Sequence, residues 1–149
     1  MVEIRFYHLQ RQRLEEALPK LIEKVYANGL KAVIKIPDEG LRTSIDKALW
    51  EYDAASFIPH DQDTCKKPEM QPIYLTCGDE NPNEATVQVI INAVEGTDTV
   101  AYERCFYMFD GRDERIVAKA REAWKLFKDT DVEMSYWQQK ETGGWEQKA

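Results

Sequence analysis

Residues 2–36, VEIRFYHLQRQRLEEALPKLIEKVYANGLKAVIKI, place a strand, a helix and a second strand in that order. Val2, Ile4 and Phe6 alternate with Glu3, Arg5 and Tyr7, the period of two that a pleated strand imposes on its side chains. Leu14, Leu18, Leu21, Ile22 and Val25 then recur at helical spacing up to Gly29, a residue suited to the position just past a helix end. Pro19 falls inside this run and predicts a kink or a second helical piece, because proline has no N–H to give to the turn before it. Lys31 to Ile36 reads as the second strand, closed by Pro37.

The pattern continues outward. Asp38 can cap a helix whose apolar face is Leu41, Ile45, Ala48 and Leu49 and which ends at Trp50. Strand, helix, strand, helix predicts an α/β fold: a three-layer-like arrangement in which helices cover the faces of a partly parallel mixed sheet. His60 to Gln71 is polar and reads as a surface loop. Ile73 to Cys77 and Thr86 to Asn92 read as strands, separated by the turn-forming residues 78–84. Residues 103–109 are apolar on both alternating sets, as a central strand requires. A last long helix is expected over about residues 113–128. In the tail, Val132 to Gln139, Gly143-Gly144 and Trp145 have the strand, turn, strand order of a β-hairpin. With no internal repeat, one domain over residues 1–149 is expected, its hairpin extension covering about 131–149.

Composition narrows the function. The chain has 149 residues, is 43% hydrophobic and 32% charged, and carries a net charge of −7. That is the profile of a folded protein, with no run near the ~20 apolar residues that a membrane span needs and no signal-peptide pattern at the start. A cytoplasmic location is expected. The charge repels phosphate backbones, so little direct nucleic-acid binding is expected except through some local positive face. Cys65, Cys77 and Cys105 are widely spaced and odd in number, which points to reduced thiols rather than a disulfide framework or a zinc motif.

Positive charge concentrates in the last helix. From Arg112 to Lys128 there are Arg112, Arg115, Lys119, Arg121, Lys125 and Lys128 against Asp113, Glu114 and Glu122. Ile116, Ala120, Ala123 and Phe127 share one side, with Arg121, Lys125 and Lys128 as a stripe beside it and Trp124 on the boundary. Cations next to an aromatic ring can hold a ligand that ends in an apolar side chain and a carboxylate. Cations in the last turns also answer the helix dipole, with Asp113 and Glu114 at its start, so the pattern has a purely structural explanation as well.

Two stretches carry a resemblance. Residues 46–60, DKALWEYDAASFIPH, are similar to the LW…SFIPH signature of the chi subunit of bacterial DNA polymerase III. Tyr136-Trp137-Gln138-Gln139 followed by Gly144-Trp145-Glu146 resembles the same family in its form with a C-terminal extension. The alternation of strands and helices gives a nucleotide-binding-like architecture, and the resemblance implies a non-catalytic accessory subunit of the clamp-loader complex. It implies two partners. The acidic, phenylalanine-terminated tail of single-stranded-DNA-binding protein would meet the basic-x-x-aromatic-basic pattern matched by Arg121, Trp124 and Lys125, with Lys128 extending it. The psi subunit would dock on the surface matched by Trp50 and Phe57, with Pro59 beside them, and a helicase is associated with the same family surface.

Two other readings stand beside this one: an adaptor for a different acidic peptide, such as one in a repair helicase complex, and a nucleotide- or metal-dependent α/β enzyme. Against the enzyme, residues 8–13 after the first strand (HLQRQR) hold no glycine, so neither the dinucleotide fingerprint nor the GxxxxGK[ST] loop is present. His8, His60 and the cysteines lack metal-ligand spacing. No cofactor and no metal are expected.

Overall fold

The computed structural model describes residues 3–10, 12–51, 60–62, 72–77, 84–92, 102–128, 130, 132–140, 142 and 144–148. Among them the elements run β1 (Glu3–Leu9), α1 (Leu14–Ala27), β2 (Ala32–Lys35), α2 (Glu39–Glu51), β3 (His60–Gln62), β4 (Ile73–Thr76), β5 (Val87–Ile91), β6 (Arg104–Asp110), α3 (Glu114–Lys128), β7 (Glu133–Gln139) and β8 (Trp145–Gln147). They form an α/β fold around one sheet of order β3-β4-β2-β5-β6-β1-β7-β8. Every pairing is parallel except β7 with β8. No helix among the described residues is long and apolar enough to cross a membrane.

The helix ends follow their sequence signals. Past α1, Gly29 adopts φ +72°, its N–H donates to the Tyr26 carbonyl at 3.0 Å and the Leu30 N–H to the Val25 carbonyl at 3.2 Å. These two bonds satisfy carbonyls that the helix leaves over, and the positive φ is one that glycine adopts without a Cβ clash. At α2, the Asp38 carboxylate accepts from the Leu41 N–H at 2.7 Å.

Pro19 corrects the expected interruption. α1 runs unbroken from Leu14 to Ala27 with Pro19 buried inside it. The lost hydrogen bond is the one to the Glu15 carbonyl, in the part-exposed first turn where water can serve, and the ring adds to the buried face beside Leu18 and Ile22. Burying Leu18 and Ile22 completely contributes roughly 2–3 kcal/mol each. A second correction concerns His60–Gln62, read as loop, which pairs with β4 as the edge strand β3. Its polar residues carry no period-two signal; pairing to a neighbour defines it.

Two cores flank the sheet. On one face α1 and α2 bury Leu18, Ile22, Ile45 and Leu49 against Leu9, Ile34, Leu75 and Val89. On the other, α3 packs Ile116, Ala120, Ala123, Trp124 and Phe127 against Ile4, Phe6, Tyr107 and Phe109. β6 supplies both, with Phe106 and Met108 to the first and Cys105, Tyr107 and Phe109 to the second, as its doubly apolar sequence requires. The tail is part of the main sheet: β7 lies parallel to β1, pairing Phe6 with Tyr136 and Tyr7 with Trp137.

Candidate functional site

In a parallel sheet of this kind ligands are usually held where neighbouring strands send their connections to opposite faces. Here those strands are β1, leading to α1, and β6, leading to α3. The crevice between them is filled by the protein itself. The Gly111 N–H donates to the Leu9 carbonyl at 2.8 Å. Gln139, 4% exposed, accepts at Oε1 from the backbone N–H groups of Gln12 at 3.0 Å and Gln10 at 3.4 Å, and its Nε2 donates to Gln12 Oε1 at 2.8 Å. Amides that could face a phosphate are thus engaged by a side chain from β7. Glu15 and Glu16 in the first turn of α1 add negative charge at the same place. Across the turn, Asp110 accepts from the Arg112 backbone N–H at 2.9 Å and from Nε at 3.0 Å, and the Arg112 side chain holds its carboxyl below the usual carboxylate range. Among the described residues no three His, Cys, Asp or Glu side chains come together as a metal site.

The other candidate is the flank of α3. The helix begins at Asp113, whose carboxylate accepts from the Arg115 N–H at 2.9 Å, and its last residues are tied by Thr130, which donates to the Phe127 carbonyl from N–H at 2.9 Å and from Oγ1 at 2.7 Å. Ala120, 1% exposed, is the buried residue of the helix among the described residues and joins the core on this face of the sheet. Trp124 is then turned onto an aromatic row built by strand register. Phe6 has Tyr107 of β6 on one side and Tyr136 of β7 on the other as direct partners, with ring centroids at 4.7 and 6.3 Å. Trp124 meets Phe6 edge-on at 5.3 Å and Tyr136 at 5.7 Å, while Phe127 meets Tyr107 at 5.8 Å. Each such contact adds roughly 0.5–1.5 kcal/mol beyond area burial, so the indole is held rigidly while staying half-exposed.

Tyr136 is itself fixed by His8. The ring Nδ1 and the tyrosine hydroxyl are 2.7 Å apart, and the other side of the imidazole bonds the Gly111 backbone. With Nε2–H turned to that backbone, the hydroxyl donates to Nδ1. Burial pushes the His8 pKa below its ordinary value, opposed by the Gly111 bond, and the positive charge of Arg121 lowers it further. Burial raises the Tyr136 pKa, and Arg121 works against that. Arg121 therefore stands close to this pair, on the same flank as Trp124.

Arg121, Lys125 and Lys128 are all exposed, and with Trp124 they span an arc of about 100° around the helix. None of the three cations has an ion pair among the described residues. The structure thus brings the four residues singled out from the sequence onto one flank, and adds Phe6, His8 and Tyr136, which sequence reasoning missed. Their signal was present only as the alternation in β1 and β7; what joins them is the register between strands far apart in the chain. Phe57 and Pro59 lie outside the described residues, as does the side chain of Trp50, whose backbone lies in the last turn of α2.

Comparison with known proteins adds an independent finding. The family model described as DNA polymerase III chi subunit, HolC, matches residues 1–135. A curated relative, the probable DNA polymerase III subunit chi of Rickettsia prowazekii (strain Madrid E), is 37% identical over 95 residues, covering 64% of this chain and 58% of the relative. The match thus spans less than two thirds of that relative's own length.

Proposed function

The chain belongs to the DNA polymerase III chi subunit family, and from that premise we propose that it is the accessory subunit that grips the acidic C-terminal tail of single-stranded-DNA-binding protein on the α3 flank, while psi joins it to the clamp loader. The observation that carries the reading is the set of three exposed cations, Arg121, Lys125 and Lys128, beside a tryptophan held at a fixed angle by Phe6 and Tyr136. A tail ending in phenylalanine offers what that flank recognises: carboxylates for the cations and a ring for the indole edge. A rigid receptor loses little side-chain entropy on binding, which offsets the weakness of surface charge pairs. Many such tails on a protein-coated strand raise the effective concentration of the polymerase at its template, so a weak single contact suffices. Trp50, Phe57 and Pro59 are proposed to anchor psi through buried aromatic area.

The test is anisotropy of a fluorescently labelled acidic peptide ending in phenylalanine, titrated with the whole chain. Lys125→Ala or Arg121→Ala is expected to weaken binding roughly threefold to tenfold and to flatten its salt dependence. Absence of binding at millimolar concentration would discard the α3 site. Co-purification of psi with the wild type and its loss with Trp50→Ala and Phe57→Ala tests the second contact; retention by both variants would remove these residues from it.

A further inference from the structure

The opposite face of the sheet carries a feature that peptide binding on α3 does not use. Between α1 and the β7–β8 hairpin lies a cavity of about 600 Å³, lined by Arg5, Lys20, Lys24 and Arg104 around a floor that includes Tyr7 and Phe106, with Trp145 at its side. Its acids are few: Glu23 lines it, and Glu3 is already bound to the Arg5 guanidinium. Lys20, Lys24 and Arg104 are exposed and have no ion pair among the described residues. Lys24 sits in the last turn of α1, where the helix dipole welcomes a cation. Arg5 answers Glu3, but Lys20 and Arg104 have no such local reason to gather on a protein of net charge −7.

We propose that this cavity binds single-stranded nucleic acid, with phosphates on Lys20, Lys24 and Arg104 and a base lodged on the flat surface between Arg5 and Trp145. The Arg5 guanidinium lies over the Phe106 ring, 5.9 Å from its centroid, and Trp145 packs edge-on against Tyr7 at 5.0 Å. A guanidinium backed by a ring and a half-buried indole are the planar surfaces on which unpaired bases stack. Lys20 and Lys24 are one helical turn, about 6 Å, apart along the wall, a step comparable to that between neighbouring phosphates of an extended strand. The cavity falls within the ~300–1,000 Å³ range of small-ligand clefts, which suits one nucleotide at a time. An acidic peptide lacking aromatic side chains would use the cations but leave the planar floor without a partner. The global charge keeps the contact weak and confines it to this local positive face.

The experiment is anisotropy of a fluorescein-labelled oligo-dT of about ten nucleotides titrated with the full chain. Binding is expected at micromolar to submillimolar protein in low salt, and two or three neutralised phosphates predict roughly tenfold weakening between about 50 and 200 mM salt. Lys24→Glu and Arg104→Glu should each weaken it by about fivefold or more. Lys119→Glu, the same charge change on α3, should weaken it less than about twofold. Trp145→Ala should lower affinity without changing the salt slope, since stacking involves no counterion release. A labelled acidic peptide on α3 should remain bound when unlabelled oligonucleotide is added, because the two sites lie on opposite faces; this separates failure of one proposal from failure of the other. No binding in low salt, an equal effect of Lys119→Glu, equal affinity for a duplex of the same composition, or displacement of the oligonucleotide by the acidic peptide would each overturn the assignment.

Discussion

Replacing Gln139 by alanine removes the side chain that fills the crevice between β1 and β6. Its amide oxygen accepts from Gln12 N–H at 3.0 Å, a well-formed bond, and from Gln10 N–H at 3.4 Å, a weak one next to solvent. Orphaning the first donor costs about 1–2 kcal/mol, while water can reach the second. Gln139 is 4% exposed, so losing its buried methylenes adds about another 1 kcal/mol. The sum is about 2–3 kcal/mol, read as a lower urea midpoint at unchanged m-value, or a melting point lower by roughly 5–10 °C for a chain of this size. Gln139→Met discriminates the cause. It keeps the buried volume of the side chain but offers the amides no acceptor and adds no charge beside Glu15 and Glu16. That variant should still lose about 1–2 kcal/mol, the part that belongs to the orphaned donor. A methionine or an alanine variant within about 0.5 kcal/mol of wild type would refute the view that satisfied loop amides hold this crevice shut.

Two further outcomes follow from the neighbouring contacts. Gly111→Ala would place a Cβ 2.0 Å from His8 Nε2 and 2.5 Å from the Leu9 carbonyl oxygen, with His8 held by Tyr136, so a loss of about 2–4 kcal/mol is expected, part of it recovered when His8→Ala is added. The His8 pKa is lower in the folded chain than in the unfolded one, so the unfolded state binds more protons as pH falls; stability is fully present above the ordinary histidine pKa and declines as pH drops through the folded value. Urea midpoints at pH 7.5 and pH 5.5 should fall with acid in the wild type and less so in His8→Gln; parallel curves would remove His8 as the cause.

The sequence by itself was sufficient for whatever depends on near neighbours in the chain. The period-two alternation of β1, the doubly apolar β6, the Asp38 cap and the left-handed Gly29 are all local devices, and each appears in the structure where it was read. The same holds for the clustering of Arg121, Trp124, Lys125 and Lys128, because a helix turns about 100° per residue wherever it lies. Pro19 and His60–Gln62 were misread for the opposite reason: a buried helix face outweighs one missing hydrogen bond, and a polar segment becomes a strand when a neighbour supplies the ladder.

Only tertiary structure decided which strands stand side by side. The register that sets Phe6 between Tyr107 and Tyr136 joins residues separated by about 100 positions or more, and no local propensity encodes it. The same is true of Gln139 reaching the β1–α1 loop and of the cations that meet from α1, β1 and β6 around the cavity. Such arrangements are fixed when sheet order and crossover handedness bring distant segments together and packing selects one register. A side chain's chemistry is written in the sequence, but the company it keeps across a sheet is settled by the fold.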